Sequence, residues 1–302
     1  MNTSEIKSLI DHYRVIIRDK IDGPVGDGRH WPTMRAQCEM FPEYAVTWQA
    51  AMILEKKRKL LTTSQTKLDK AVAEKTGYIN RGLTLSPAHE AAPFLWGGYT
   101  ACAGATKACI GACVGAETGQ GRLPSSKIAR IGRTLVKELF REEFKQIFHE
   151  ELMREYHRAD KKGLRLALRF NVASDHWQLA DEMADRYKSL DITFYDYTAI
   201  TSAMRSNSRV RRVYSRKDGR DDLTLKMLRE GHGVAVVFDV SARKKEPLPK
   251  EWHGYPVIDG DINDLWFLRA HPGCAFVVGL RVKGDNKQIE SCRESGFAAK
   301  WR

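Results

Sequence analysis

From residue 164 onwards the chain alternates short apolar runs with amphipathic stretches, and few folds accept that rhythm. Runs rich in branched and aromatic residues at 164–170, 192–197, 212–214, 234–239 and 275–282 predict strands. Between them, residues 176–187 and 222–230 carry helical spacing, and a further helix is expected after Tyr197. Strands joined by single helices run parallel, through right-handed crossovers. The expected class is therefore α/β, either a doubly wound sheet or a parallel (β/α) barrel, complete or partial. In both, chemistry gathers beyond the carboxyl ends of the strands.

The segment ahead of this pattern reads differently. Ile6, Leu9, Ile10, Tyr13, Ile16 and Ile17 share one helical face within residues 3–21, and Gly23-Pro24 stops the run. A turn-rich stretch leads to a second expected helix over residues 44–73, so residues 1–78 form an N-terminal helical region. The barrel-like unit spans 79–302. It begins with a β-like run at 79–85, broken by Ser86-Pro87-Ala88, and a Gly/Ala/Cys-rich loop then continues to Arg122. Loops of that length are functional or disordered more often than structural, and the aromatics and cysteines here favour function. A single long helix is expected over 125–160, on the spacing of Ile128, Ile131, Leu135, Leu139, Phe144, Phe148, Leu152 and Tyr156.

Composition narrows the function classes. Forty-two per cent hydrophobic residues over 302 positions supply a real core, which excludes a disordered tail. The sequence holds no run of about eighteen apolar residues and no signal-peptide pattern, so no membrane partner is expected. A cytoplasmic location, in an infected bacterial host, is the expectation. Six cysteines, three of them within twelve residues, suit metal ligands better than a secreted disulfide framework. The net charge of +12 favours a polyanionic partner, DNA or RNA, against the plainer reading of a solvated basic surface. Its densest patch is Arg205, Arg209, Arg211, Arg212, Arg216, Lys217 and Arg220, the candidate phosphate contacts.

Polar residues recur at the expected strand ends: Asn171, Ser174 and Asp175 after the first, Tyr195-Asp196-Tyr197-Thr198 at the second, Ser215 with Arg216 and Lys217 at the third, Asp239 at the fourth. Any one of them can be a helix cap, and for Ser174 or Asp175 that reading is as good as a ligand contact. Four ends converging favour a pocket. Asn171, Ser174, Asp175 and Ser215 are the candidate cofactor contacts, and Asp175 and Asp239 the candidate catalytic carboxylates. The acidic stretch 257–264, with Asp259 and Asp261, lacks a full calcium-loop pattern and reads by default as a capped turn.

Cys102, Cys109 and Cys113 are separated by six and then three residues. Cys109 and Cys113 fall on one face of a helical turn, and Cys102 can fold back across the loop to the same centre. The Gly and Ala between them leave room for a bulky inorganic group, while Lys107 and Arg122 are candidates to balance thiolate charge. An iron–sulfur cluster on three cysteines would keep one iron open for a ligand. Structural zinc, the alternative, requires a fourth ligand from Cys38, His89, Cys274 or Cys292. Three small buried thiols with no metal are the remaining reading.

Residues 83–88, the three-cysteine loop with Gly119-Gln120-Gly121-Arg122 behind it, residues 169–175, 194–198 and 257–261, and the final Ser295-Gly296-Phe297 together resemble an uncharacterised tailed-phage protein family similar to the phage gene product 88 family. The resemblance runs from about Leu83 to the C terminus. That family in turn remotely resembles radical S-adenosylmethionine enzymes, in which a three-cysteine loop after the first barrel strand binds a four-iron cluster. The resemblance implies Cys102, Cys109 and Cys113 as ligands of a 4Fe-4S cluster, with Ser174 and Asp175 facing S-adenosylmethionine. The cysteine spacing is wider here than the usual three and two residues. The leading expectation is a phage-encoded iron–sulfur enzyme that acts on nucleic acid or a nucleotide, by base modification. Two others stand beside it: a non-catalytic nucleic-acid-binding accessory protein with structural zinc, and a base-exchanging transglycosylase with an aspartate nucleophile.

Overall fold

The structure is a computed structural model that describes residues 1–18, 41–63, 68, 75–113, 115–206, 208–244, 246–271 and 273–301. The expected Gly23-Pro24 helix stop and Cys38 lie outside the described residues. Nine strands form one mixed sheet in the order β1-β2-β3-β4-β5-β6-β9-β8-β7. Strands β2 (Tyr78–Leu83), β3 (Arg165–Arg169), β4 (Ile192–Thr198), β5 (Arg211–Ser215), β6 (Val234–Ser241), β9 (Val277–Val282) and β8 (Tyr255–Asp259) run parallel. Among the described residues only the edges, β1 (Leu61–Thr62) and β7 (Glu251–Trp252), pair antiparallel. The sheet is not closed, so the complete barrel of the sequence-based expectation does not form.

From β2 to β6 each new strand is added beside the last, in one direction. Right-handed crossovers then place the intervening helices on one face, and this explains the side-chain alternation. Leu166, Leu168 and Phe194 join the core under the helices, while Ala167 and Tyr195 face the other way. Helix α6 (Trp177–Arg186) covers β3 and β4, and α8 (Asp221–Arg229) covers β5 and β6 through Met227 and Leu228. The opposite face is filled at one end by Leu265, Trp266 and Phe267. At the other end it opens into a cleft.

Helices α1 (Thr3–Arg18) and α2 (Pro42–Leu54) pack with α4 (Pro124–Leu139) and α5 (Arg141–Asp160), and share one apolar core with β2 and β3. The expected second helix is shorter than its spacing suggests. It ends at Leu54, and β1 follows. The single helix expected over 125–160 is two helices, broken at Phe140, whose φ of −132° and ψ of 60° are not helical. No glycine or proline marks the break. Phe140 is buried with Lys7 and Arg14 over its ring, so packing against α1 takes precedence over helical continuity. The acidic stretch read as a capped turn includes strand β8.

Candidate active site

The cysteine loop docks across four strand ends. Beyond β2, the Ala88 N–H donates to Cys102 Sγ at 3.3 Å, and the Ala101 N–H to the Ala88 carbonyl. Beyond β3, the Asp175 N–H donates to the Ala101 carbonyl at 2.8 Å, while Cys102 Sγ lies 3.7 Å from the Ala173 carbonyl oxygen. Beyond β4, Gly104 sits so close to Ala199 that a Cβ there would come within 2.8 Å of the Ala199 methyl. Beyond β5, Lys217 donates to Cys109 Sγ at 3.1 Å, and Thr106 bonds Asp218. Thr106 also caps the short helix α3 (Lys107–Gly111) by accepting from the Cys109 N–H.

These contacts bring the three thiols to one corner. A Cβ at Gly115 would lie 2.5 Å from Ala173 Cβ and 3.8 Å from Cys113 Sγ, so Cys113 and Cys102 both approach Ala173. Burial pushes the Cys102 thiol up to about 12, with the fields of Cys113, Asp175 and Cys109 acting the same way. Cys113 is also raised by burial, although the Gly115 and Ala116 N–H groups bond its sulfur. Thiols held this far from ionisation are poor nucleophiles. They become thiolates when a metal takes the proton's place. Among the described residues, however, no three His, Cys, Asp or Glu side chains are drawn together closely enough for one metal ion.

Beside this corner lies a cleft of about 580 Å³. Ala112 and Gly115, on either side of Cys113, form one wall, and Ser215, Arg216 and Lys217 another. Arg169 and Tyr197 line its floor, with the guanidinium 4.4 Å from the ring centre. Arg169 is set by two buried carboxylates: it donates to Asp264 at 2.8 Å and stands 4.0 Å from Asp196. Burial pushes Asp196 up to about 7 against the pull of Arg169. The Tyr197 hydroxyl is buried without a hydrogen-bond partner among the described residues.

A family model, gene product 88, matches residues 54–300. The chain belongs to the gene product 88 family. No curated protein and no solved structure matches it. The family match begins upstream of Leu83, so it takes in β1 and the end of α2 as well as the motifs, and it leaves α1 outside.

Within this family member the expected site residues separate into groups. Asn171 is spent on structure: its amide bonds Asp196, and its Oδ1 accepts from Ser174 Oγ at 3.0 Å and from the His176 N–H at 2.8 Å. Asp175 is half committed, since Oδ2 accepts from the Ala199 N–H at 2.9 Å while the buried Oδ1 has no hydrogen-bond partner among the described residues. Ser215 lines the cleft. Asp239 does not; it pairs with Arg293 at 2.7 Å and lines a separate pocket with Glu246 and Trp301.

The seven basic residues do not share one face. Arg209 and Arg211 lie at the amino end of β5, with Arg211 over the Phe267 ring. Arg205 pairs with Glu230, and Arg212 is tied to Asp181. Arg220 is exposed at the start of α8, and only Arg216 and Lys217 reach the cleft. Arg122 pairs with Asp285 and Lys107 is exposed, so the cation at the thiols is Lys217 instead. Asp259 and Asp261 are matched by Arg281, and Asp261 also by Lys283. Among the residues proposed for a fourth zinc ligand, His89 bonds the Tyr99 carbonyl, Cys274 is exposed ahead of β9, and Cys292 is buried on α9 (Asn286–Glu294).

Arg169, Asp196, Tyr197 and Asp264 were not chosen from the sequence as site residues. For Arg169 and Asp196 the signal was present as a charged group set among the apolar and aromatic residues of a buried strand.

Proposed function

We propose that this protein is an enzyme that carries an iron–sulfur cluster on Cys102, Cys109 and Cys113 and modifies a nucleic acid or nucleotide held in the adjoining cleft. The observation that carries the reading is the gathering of three thiols where four strand ends meet, each sulfur with a hydrogen-bond donor: Ala88 N–H, Lys217 Nζ, and the Gly115 and Ala116 N–H groups. Such donors stabilise sulfur that carries negative charge.

The donor set fits a cluster better than a single ion. Structural zinc needs a fourth protein ligand, and of the candidates His89 bonds the Tyr99 carbonyl and Cys274 is exposed, whereas a cluster distributes its three cysteines over separate irons. When bound, it would offer electron transfer and one iron open to a ligand. The chain's own residues do the rest. Asp175 keeps a buried carboxylate oxygen for a cationic group, such as the amine of S-adenosylmethionine. Lys217 and Ser215 present donors to an anionic substrate, and Arg169, locked by Asp264, keeps the cleft floor in one geometry.

Anaerobically purified protein is expected to be brown and to contain iron and acid-labile sulfide, both lost in Cys102→Ala, Cys109→Ala and Cys113→Ala while the fold persists. A colourless, iron-free preparation loaded with zinc would overturn the reading in favour of a structural metal.

A further inference from the structure

A second concavity, of about 680 Å³, opens on the far side of the cysteine loop, between the 57–63 segment and α4. It shares Thr84, Gly115 and Gly121 with the cleft, so the two adjoin along these residues. Lys57, Arg58, Lys59, Arg130 and Arg133 line it, and no carboxylate does so among the described residues. Arg130 is committed to Glu90 through a two-pronged pair at 2.5 and 2.6 Å. Of the other four, Arg133 lies in the field of the buried Glu151 carboxylate, and Lys57, Arg58 and Lys59 have no carboxylate partner among the described residues. The arginines of the cleft are matched with acids, and three unmatched cations on one turn repel one another unless an anion sits between them.

The basic segment is also held in place. The buried Glu151 carboxylate accepts from the Leu60 and Leu61 N–H groups at 2.9 and 2.8 Å, and Arg133 Nε donates to the Lys59 carbonyl. Upstream, the Lys57 and Arg58 N–H groups both return to the Met52 carbonyl. Three cations on an anchored turn lose little backbone freedom on meeting a ligand.

We propose that this groove holds the phosphates of a single-stranded nucleic acid whose next nucleotide enters the cleft. The proposal rests on the reading of the cleft as a nucleic-acid-modifying site and extends it. A mononucleotide would fill the cleft alone and leave the groove's charge unanswered. A strand spans both, with its backbone against the lysines and one base extruded past Thr84 and Gly115.

The test is binding of a fluorescein-labelled single-stranded oligonucleotide by the full chain, titrated at several salt concentrations. Lys57, Arg58 and Lys59 are exposed, so the triple variant Lys57→Ala, Arg58→Ala, Lys59→Ala should fold with an unchanged circular dichroism spectrum and melting temperature. Its affinity is expected to fall at least tenfold near 0.1 M salt. The slope of log affinity on log salt should drop by about 2, at about 0.7 per lost phosphate contact. If wild-type protein binds the strand and the triple variant binds equally with the same slope, the groove assignment is overturned and the cleft reading stands. If wild-type protein binds no single strand, the nucleic-acid reading itself fails and the groove proposal falls with it.

Discussion

The cleft and the groove behind it are both rich in arginine and lysine, but they use the charge in opposite ways. In the cleft Arg169 answers to Asp264, Arg216 to Asp221, and Arg281 and Lys283 to Asp259 and Asp261. In the groove Lys57, Arg58 and Lys59 answer to no carboxylate among the described residues. A matched cation holds the fold in one geometry and has little attraction left for a ligand. An unmatched one contributes little to stability and leaves its field for whatever anion arrives. A net charge of +12 says nothing about this division.

The comparison breaks most visibly at Arg169. Arg169→Met removes the cation that Asp264 and Asp196 share, and removing one partner of a buried pair costs about 3–5 kcal/mol. Urea unfolding should show that loss; a cost below about 1 kcal/mol would mean that the cleft's pairs are not structural.

A smaller effect is expected beside the thiols, where His176 stands 3.5 Å from both Tyr99 Oη and Lys137 Nζ. Burial, with Lys137 adding to it, lowers His176 from 6.5 to about 4. Below pH 6.5 the unfolded chain gains a proton that the folded one refuses, so stability should fall as pH drops from about 6.5 to 4, by at most roughly 3 kcal/mol. Melting curves across that range should show a shallower fall for His176→Gln. Equal slopes for the two proteins would place the titration elsewhere.

Glu151 links the two regions, because a buried acid there shapes the basic turn of the groove. Glu151→Ala leaves the Leu60 and Leu61 N–H groups unanswered and should cost about 2 kcal/mol. It should also weaken oligonucleotide binding, although Glu151 itself is negative. Tighter binding in this variant would show that the clamp does not organise the turn. The smallest effect belongs to the exposed pair: Arg205→Ala, which releases Glu230, should leave the midpoint of chemical denaturation unchanged.

Much of the sheet was legible because parallel strands buried on both faces need continuous apolar runs. The strands expected near 164–170, 192–197, 212–214, 234–239 and 275–282 appear within a few residues of those bounds. The break at Phe140 was not legible, since its cause is an aromatic contact with α1, more than a hundred residues away. Nor was β8, which ends at Asp259, although the capped turn expected just beyond it is there, with the Asp261 N–H on Asp259 Oδ1 and the Leu265 N–H on Asn263 Oδ1. At the candidate site, the spacing of Cys102, Cys109 and Cys113 drew attention to the right loop. The role of Asn171 as a scaffold for Asp196, and the dispersal of the basic patch, depended on which way each strand's side chains pointed.

By itself the sequence determined the α/β class, the parallel core and the cysteine loop ahead of α4. Each rests on local periodicity or on residues near one another in the chain, which any compact fold must respect. Only the tertiary structure decided that the sheet stays open, that Lys217 is the cation at the thiols, and which arginines are spent on carboxylates. Those outcomes depend on distances between residues far apart in sequence, and electrostatic pairing is decided by distance.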